Sequence, residues 1–139
     1  MRTVLIIPIL LPLGSTIAQA QDVANGEKVF APCKACHQIG PTAKNAVGPE
    51  LNGLIGRKAG TVEGYTYSPA NKNSGLTWDE ATFSEYIKDP KAKVPGTKMI
   101  FPGIKDEKRI ADLIAHLKQF DASGQKSAAL MKFHRLAVR

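Results

Sequence analysis

The chain has 139 residues and a formal net charge of +7, enough for one domain and too few for two comfortable ones. Its content of 43% hydrophobic and 22% charged residues is ordinary for a globular protein and excludes a fully disordered chain. The two cysteines exclude a disulfide-dense scaffold, and a core with few aromatics and many Gly and Pro turns usually has another group at its centre.

Residues 1–20 are typical of a cleaved export signal. Arg2 supplies the positive start, Val4 to Leu13 is apolar, and Ala18-Gln19-Ala20 fits the small-x-small cleavage rule, so we predict cleavage before Gln21. The alternative is an uncleaved membrane anchor, but this apolar run is too short to span a bilayer and contains two prolines. Removal of Arg2 leaves 18 basic against 12 acidic residues, and the mature chain is expected in the periplasm.

The first predicted helix leads directly into both cysteines. Asp22 is the expected N-cap of a helix that runs to about Ala35. The motif C-K-A-C-H, in which Cys33 and Cys36 precede His37, is the attachment signature of haem c. Thiols three positions apart lie near one face of a helical turn, so both can form thioethers with one porphyrin while the adjacent imidazole reaches the iron. We therefore predict one covalent haem.

Other uses of the two cysteines remain open at this point. In an oxidising compartment, Cys33 and Cys36 could form a disulfide, whereas a thiol redox motif would need a βαβ setting that the flanking sequence lacks. A zinc site would need two further ligands at close spacing, but His116 and His134 occur singly and far along the chain.

The middle of the chain alternates between loops and short helices. Residues 40–64 contain six glycines and are predicted to be mostly loop, with one short helical turn at Leu51, Leu54 and Ile55. A second short turn is expected over residues 69–72.

A capping box predicts the start of the next helix. Thr77 is the expected N-cap and Glu80 its partner at N3. This helix should run to about Lys88, where Asp89-Pro90 stops it.

An irregular loop offers the strongest candidate for a second iron ligand. Besides His37, the mature chain offers only four side chains of a suitable type: Met99, Met131, His116 and His134. Met99 lies in V-P-G-T-K-M-I-F-P-G, where prolines and glycines constrain the backbone and can hold the side chain in one orientation. The alternative use of a lone methionine is core packing.

The last strong helix is predicted to begin near Asp106 and to carry an apolar stripe at helical spacing. The stripe continues through Phe120, and Gly124 ends the helix. With no convincing strand, the predicted fold class is all-α. Three short helices bury too little apolar area to offset the ordering of many loop residues, so we expect a central haem to supply the missing surface. The apolar stripe consists of Ile110, Leu113, Ile114 and Leu117.

Three longer runs carry a family resemblance: G-P-E-L-N-G-L-I-G-R-K-A-G (48–60), Y-T-Y-S-P-A-N-K-N-S-G-L-T-W (65–78) and P-G-T-K-M-I-F (95–101). With these runs the chain resembles the class I c-type cytochromes, and among them the mitochondrial-like cytochrome c2 branch of alphaproteobacteria. The resemblance covers about residues 22–120. It implies a small cytochrome c fold, in which three main helices, short helical turns and loops wrap around one covalent haem c.

The resemblance also implies roles for individual residues. Met99 would be the second axial ligand, and the Pro49 carbonyl would accept a hydrogen bond that orients the His37 imidazole. The first and last helices would pack together where His116 replaces the usual aromatic residue, which we expect to weaken that contact. Residues that would bond or compensate the haem propionates are Arg57, Tyr67, Ser68 and Trp78. Residues that would form a polar, partly water-containing network near the methionine are Asn71, Tyr86 and Thr97.

With His37 and Met99 as its two axial ligands, the haem iron would have no free position for oxygen, peroxide or substrate. We therefore expect a one-electron carrier of relatively high potential, and not an enzyme. The alternatives are a haem enzyme such as a peroxidase, a ligand-sensing haem module, and a structural or thiol-redox protein without haem.

Four lysines fall where related proteins ring the exposed haem edge: Lys28, Lys91, Lys98 and Lys105. The resemblance implies docking to acidic patches on membrane redox complexes, with a cytochrome bc1 complex as donor and a terminal oxidase or photosynthetic reaction centre as acceptor. The alternative is a merely solvated basic surface. We expect a monomer and no nucleic-acid partner.

The C-terminal end departs from the compact family pattern. We predict that the domain covers residues 21–122 and that residues 123–139 form a basic extension. Its two interpretations are a frayed, weakly helical tail and an amphipathic segment for a membrane surface or a partner. Its apolar stripe would be Ala129, Leu130, Phe133 and Leu136.

Overall fold

The computed structural model describes residues 21–127, so the predicted export signal and the stripe at residues 129–136 lie outside the described residues. Within that range the secondary structure is helical and contains no strand, which confirms the all-α prediction. Its only pairings of extended backbone are isolated bridges, Lys58 with Thr77 and Phe120 with Lys126. The helices are α1 (Val23–Phe30), followed by a 3-10 helix (Ala31–Ala35), α2 (Pro69–Lys72), α3 (Glu80–Lys88), α4 (Pro90–Lys93) and α5 (Glu107–Leu117).

Helices α1 and α5 form the main helix pair. Gly26 permits their close approach, since a Cβ atom at this position would lie 1.9 Å from the backbone oxygen of Asp112. Phe30 and Leu113, each 1% exposed, fill the interface beside that crossing. The pair therefore ties the start of the domain to its end.

A buried carboxylate strengthens the same junction. Asp112 is fully buried and accepts hydrogen bonds from the Asp22 backbone N–H at 2.8 Å and from Asn25 Nδ2 at 2.7 Å. The ammonium group of Lys108 lies 2.9 Å and 3.0 Å from its two oxygens. Because the charge is both paired and hydrogen-bonded, its burial is tolerated.

The first helical segment reaches Ala35, as predicted, but it changes type on the way. The α-helical part ends at Phe30 and continues as a 3-10 helix, with Pro32 in its first turn. Proline has no backbone N–H, so the α-helical bond from Pro32 to Lys28 cannot form.

The predicted N-cap of α3 is wrong by two residues. Thr77 does not cap this helix because its backbone is engaged in the bridge to Lys58. The cap is Asp79, whose side chain accepts a hydrogen bond from the Thr82 N–H at 2.7 Å. The helix then ends at Lys88, as predicted.

The Asp89-Pro90 pair ends one helix and begins another, α4, which was not predicted. Asp89 has extended backbone angles and its side chain accepts a hydrogen bond from the Ala92 N–H at 3.0 Å. Pro90 occupies the first helical position, where its missing N–H costs nothing.

No helix forms at Leu51, Leu54 and Ile55, contrary to the prediction. Backbone groups that a helical turn would use are bonded elsewhere: the Gly56 N–H, which would donate to Asn52 in a helix, donates to the Trp78 carbonyl oxygen at 2.9 Å. The Arg57 guanidinium donates a hydrogen bond to the Asn52 carbonyl oxygen at 2.7 Å. This loop is therefore held by longer-range contacts.

Helix α5 begins after Asp106, as predicted, but it ends at Leu117 rather than at Gly124. The chain beyond it turns back, so that Phe120 pairs with Lys126 and the Ser127 N–H donates to Gln119 at 2.9 Å. Residues 123–127 of the predicted extension thus contact the domain, while the boundary at residue 122 stays a prediction. None of the described helices is long and apolar enough to cross a bilayer.

Candidate functional site

One tight turn carries the two thiols and the imidazole of the C-x-x-C-H motif. The backbone N–H groups of Cys36 and His37 both donate to the carbonyl oxygen of Cys33, at 3.0 Å and 2.9 Å. Both cysteines are free and partly buried, and burial raises the pKa of the Cys33 thiol. The three reactive side chains of the motif therefore leave the backbone within a single turn.

The His37 ring is held from two sides. Its Nδ1 atom lies 2.8 Å from the Pro49 carbonyl oxygen, and because a carbonyl can only accept, Nδ1 is the protonated nitrogen. A Cβ atom at residue 48 would lie 2.3 Å from His37 Cε1, so only Gly48 leaves room for the ring. Burial lowers the pKa of His37. The result is a neutral, oriented imidazole whose Nε2 lone pair is available to a metal.

The loop that carries Met99 is anchored at both ends. Its start is tied by the Thr97 N–H, which donates to Val94 at 3.0 Å, and its end by the Ile104 N–H, which donates to Ile87 at 2.9 Å. Between these anchors the Met99 N–H donates to the Thr97 hydroxyl at 3.2 Å. The loop has no regular structure, as predicted, yet its methionine is positioned.

A tyrosine hydroxyl contacts the methionine sulfur. Tyr86, on the inner face of α3, donates from its hydroxyl to Met99 Sδ at 3.1 Å. Burial raises the pKa of Tyr86, while the neighbouring polar side chains of Thr97 and Asn71 act in the opposite direction. The Asn71 Oδ1 atom is buried without a protein partner, an arrangement that suits a bound water. The structure thus brings together the three residues of the predicted polar network.

A second polar cluster surrounds Arg57. Its guanidinium contacts the Glu50 carboxylate at 3.1 Å and the carbonyl oxygens of Asn52 and Glu50 at 2.7 Å and 3.1 Å. Its backbone oxygen accepts from the Trp78 N–H at 2.9 Å, so Arg57 and Trp78 are neighbours. The part played by Glu50 was missed at the sequence level, since an acidic residue within a Gly-rich loop carries no periodic signal.

Two hydroxyl groups predicted to face the haem carboxylates already accept one hydrogen bond each. The Tyr67 oxygen accepts from the Val62 N–H at 3.3 Å, and the Ser68 oxygen accepts from the Asn71 N–H at 3.2 Å. The proton of each hydroxyl remains able to donate elsewhere. Burial raises the pKa of Tyr67, which keeps it protonated at neutral pH.

These residues fit a haem. The chain provides two thiols and a neutral imidazole on one turn, a held thioether, a buried amide oxygen without a partner, and a cluster of donors suited to carboxylates. Together they define a small helical protein that holds a covalent haem for electron transfer.

Similarity to known proteins identifies the family of this chain. The sequence profile of the cytochrome c family matches residues 23–121, and the chain belongs to the cytochrome c family. It is 66% identical to cytochrome c2 of Blastochloris viridis over 78% of this chain and 86% of that one. It is 63% identical to cytochrome c-550 of Nitrobacter winogradskyi over 77% of this chain and 98% of that one.

Solved structures support the same fold. Cytochrome cH from Methylobacterium extorquens aligns with a TM-score of 0.66 and 58% identity, over 70% of this chain and 97% of that one. Cytochrome c2 from Rhodospirillum centenum aligns with a TM-score of 0.69 and 41% identity, over 72% and 98%. The predicted class I fold, a covalent haem c in one copy per chain, and a role in electron transfer rather than enzymatic catalysis are thereby confirmed.

The four lysines predicted to ring the haem edge differ in their contacts. Lys28, Lys91 and Lys98 are exposed. Lys105 is exposed as well, but its ammonium group donates to the Lys88 carbonyl oxygen at 2.5 Å, at the end of α3. Lys105 is therefore the most constrained of the four.

Proposed function

We propose that this chain is a periplasmic monohaem cytochrome that carries single electrons between membrane redox complexes. In this proposal Cys33 and Cys36 form the thioethers, and His37 and Met99 are the axial ligands. The observation that carries the ligand assignment is the hydrogen bond from His37 Nδ1 to the Pro49 carbonyl at 2.8 Å, because it leaves Nε2 as the coordinating atom.

The haem supplies one-electron exchange between Fe(III) and Fe(II). The chain's residues set the conditions for that exchange: Pro49 and Gly48 restrict the His37 ring, and Tyr86 holds the sulfur of Met99. A thioether ligand favours Fe(II) and raises the potential. A loop anchored at both ends limits the movement of Met99 when the oxidation state changes.

The remaining polar residues act on the edge of the haem. The carboxylates of an inward-facing haem need donors or cations, since an unpaired buried charge is costly. Arg57, Tyr67, Ser68 and Trp78 are proposed to meet this need. The network of Asn71, Tyr86 and Thr97 is proposed to tune the methionine side.

The proposed location and partners are supported by the sequence and by the bacterial relatives. The signal-like residues 1–20 support export and cleavage before Gln21, and several relatives are named cytochrome c2. We propose a cytochrome bc1 complex as donor and a terminal oxidase or photosynthetic reaction centre as acceptor. Docking is proposed to use the basic surface formed by Lys28, Lys91, Lys98 and Lys105.

An optical spectrum of the full chain, expressed with periplasmic haem-attachment machinery, tests the ligand assignment. We expect a low-spin c-type spectrum with the weak long-wavelength thioether–Fe(III) band. Met99→Ala should abolish that band, whereas Met131→Ala, which removes the other methionine of the mature chain, should leave it intact.

The opposite results would exclude the proposal. A band that survives Met99→Ala would assign the sixth ligand to another residue. Ready binding of carbon monoxide to the reduced native protein would indicate an open iron position and would favour a haem enzyme or a sensor.

A further inference from the structure

We propose that the Glu50 carboxylate lowers the reduction potential of the haem through its ion pair with Arg57. The inference rests on the proposed function, in which Arg57 faces the haem carboxylates. It assigns a tuning role to a residue outside the haem-contacting set.

Glu50 and Arg57 are joined by more than one contact. The carboxylate Oε1 atom accepts from Arg57 Nη1 at 3.1 Å, and Oε2 accepts from the Asn52 backbone N–H at 2.6 Å. The Glu50 backbone oxygen accepts from Nη2 of the same guanidinium at 3.1 Å. Both oxygens of the carboxylate are thus used, and its position relative to the guanidinium is set by the loop backbone.

This pair is shielded from solvent to an unusual degree for this protein. The side chains of Arg57 and Glu50 are 18% and 21% exposed. In every other ion pair within residues 21–127, at least one partner is 45% exposed or more. A charge held in such a setting is screened less by water and salt, so it acts over a longer range than a surface charge does.

The sign of the effect follows from the charge of the transferred electron. Reduction adds one negative charge at the haem, so a fixed negative charge nearby disfavours Fe(II). The Arg57 guanidinium alone would favour Fe(II), and the Glu50 carboxylate offsets much of that positive charge. Removing the carboxylate charge while keeping the guanidinium in place therefore raises the potential.

The Arg57 guanidinium has hydrogen bonds that do not involve the Glu50 carboxylate, so it stays in place when the carboxylate charge is removed. Arg57 also donates to the Asn52 carbonyl at 2.7 Å and to the Glu50 backbone oxygen, neither of which depends on the carboxylate. In Glu50→Gln the amide oxygen can still accept from the Asn52 N–H, whereas the amide NH2 cannot bond the guanidinium, since both groups only donate, so the direct contact with Nη1 is lost together with the charge. The substitution thus removes one charge with little change in shape.

The test is a potentiometric titration of the holoprotein, wild type against Glu50→Gln. We expect the reduction equilibrium to shift toward Fe(II) by about threefold, or roughly 28 mV at 59 mV per tenfold. Glu107→Gln is the matched control, because it removes the same charge from an exposed pair with Lys88. Its shift should be smaller than that of Glu50→Gln.

Equal shifts in the two variants, or an unchanged potential in Glu50→Gln, would overturn the inference. Glu50→Asp provides a second test that does not require the amide variant to fold. It keeps the charge and should keep the wild-type potential, and a threefold shift in it would also overturn the inference. The thioether–Fe(III) band, measured on every sample, separates this outcome from a failure of the His37 and Met99 assignment.

Discussion

The His116 ring packs against the Phe30 ring, with 5.4 Å between their centroids, where the last helix meets the first. On its other side it meets the edge of Phe120, at 5.6 Å. His116 is 4% exposed and its Nε2 atom has no protein partner. A phenylalanine at this position would have no buried, unpaired nitrogen. The imidazole nevertheless fills the place of an aromatic ring between α1 and α5.

The buried imidazole predicts a loss of stability in mild acid. Burial lowers the pKa of His116; Glu27 on α1 acts in the opposite direction, whereas Lys34 and Lys126 reinforce the shift. Below the unfolded-state pKa of about 6.5 the unfolded chain binds more protons, so the free energy of unfolding falls as pH falls. Denaturant titrations at about pH 7.5 and pH 5.5 should show this decrease in the wild type.

The control for this prediction is His116→Phe, which keeps a ring between Phe30 and Phe120 and removes the titrating group. It should reduce the decrease between the two pH values. An identical decrease in both proteins would assign the effect to other groups.

Asp112 predicts a second loss of stability at lower pH. Hydrogen bonds from Asp22, Asn25 and Lys108 lower the pKa of this carboxyl from 3.8 to about 2. A depressed native pKa stabilises the fold above the unfolded value, and this contribution disappears as pH falls from about 4 toward 2. Asp112→Asn should be less stable at neutral pH and should show a shallower loss between about pH 4 and pH 2, measured by circular dichroism.

The hydrogen bond from Tyr86 to Met99 predicts a change in potential. The hydroxyl donates to the sulfur at 3.1 Å and draws electron density from it, which weakens donation to Fe(III) more than to Fe(II). Tyr86→Phe should therefore lower the potential, by about 1 kcal/mol, the usual worth of one hydrogen bond. Potentiometry measures the shift.

Tyr65→Phe is the matched control, since the Tyr65 hydroxyl donates to the Val47 carbonyl at 2.8 Å, on an exposed part of the loop. It should leave the potential close to the wild-type value. If both variants behave alike, the contact with Met99 has no influence on the iron.

The basic surface predicts salt-dependent association with redox partners. Lys28→Glu and Lys91→Glu should each reduce the second-order rate of electron transfer with a bc1 complex by about tenfold at low salt, because charge steering is lost. The rates should converge with the wild-type rate as salt rises. Lys118→Glu is the control, because Lys118 lies outside the proposed docking surface and pairs with Glu80. A comparable loss of rate in this variant would indicate a general effect of net charge.

The sequence alone was sufficient to predict the covalent haem, the helical fold class and the position at which α5 begins. C-K-A-C-H has one dominant chemical use, and the caps Asp22 and Asp106 act within a few residues, so local spacing was sufficient. The loop around Met99 could also be predicted, because Pro and Gly restrict the backbone locally.

Contacts between distant segments decided the rest. Thr77 lost the capping role because its backbone pairs with Lys58, and α5 ended early because the chain beyond Phe120 folds back toward Lys126. The pairing of Glu50 with Arg57 and the aromatic setting of His116 likewise depend on which loops and helices meet. Such contacts have no periodicity along the chain, since their free energy arises only when the tertiary fold brings the partners together.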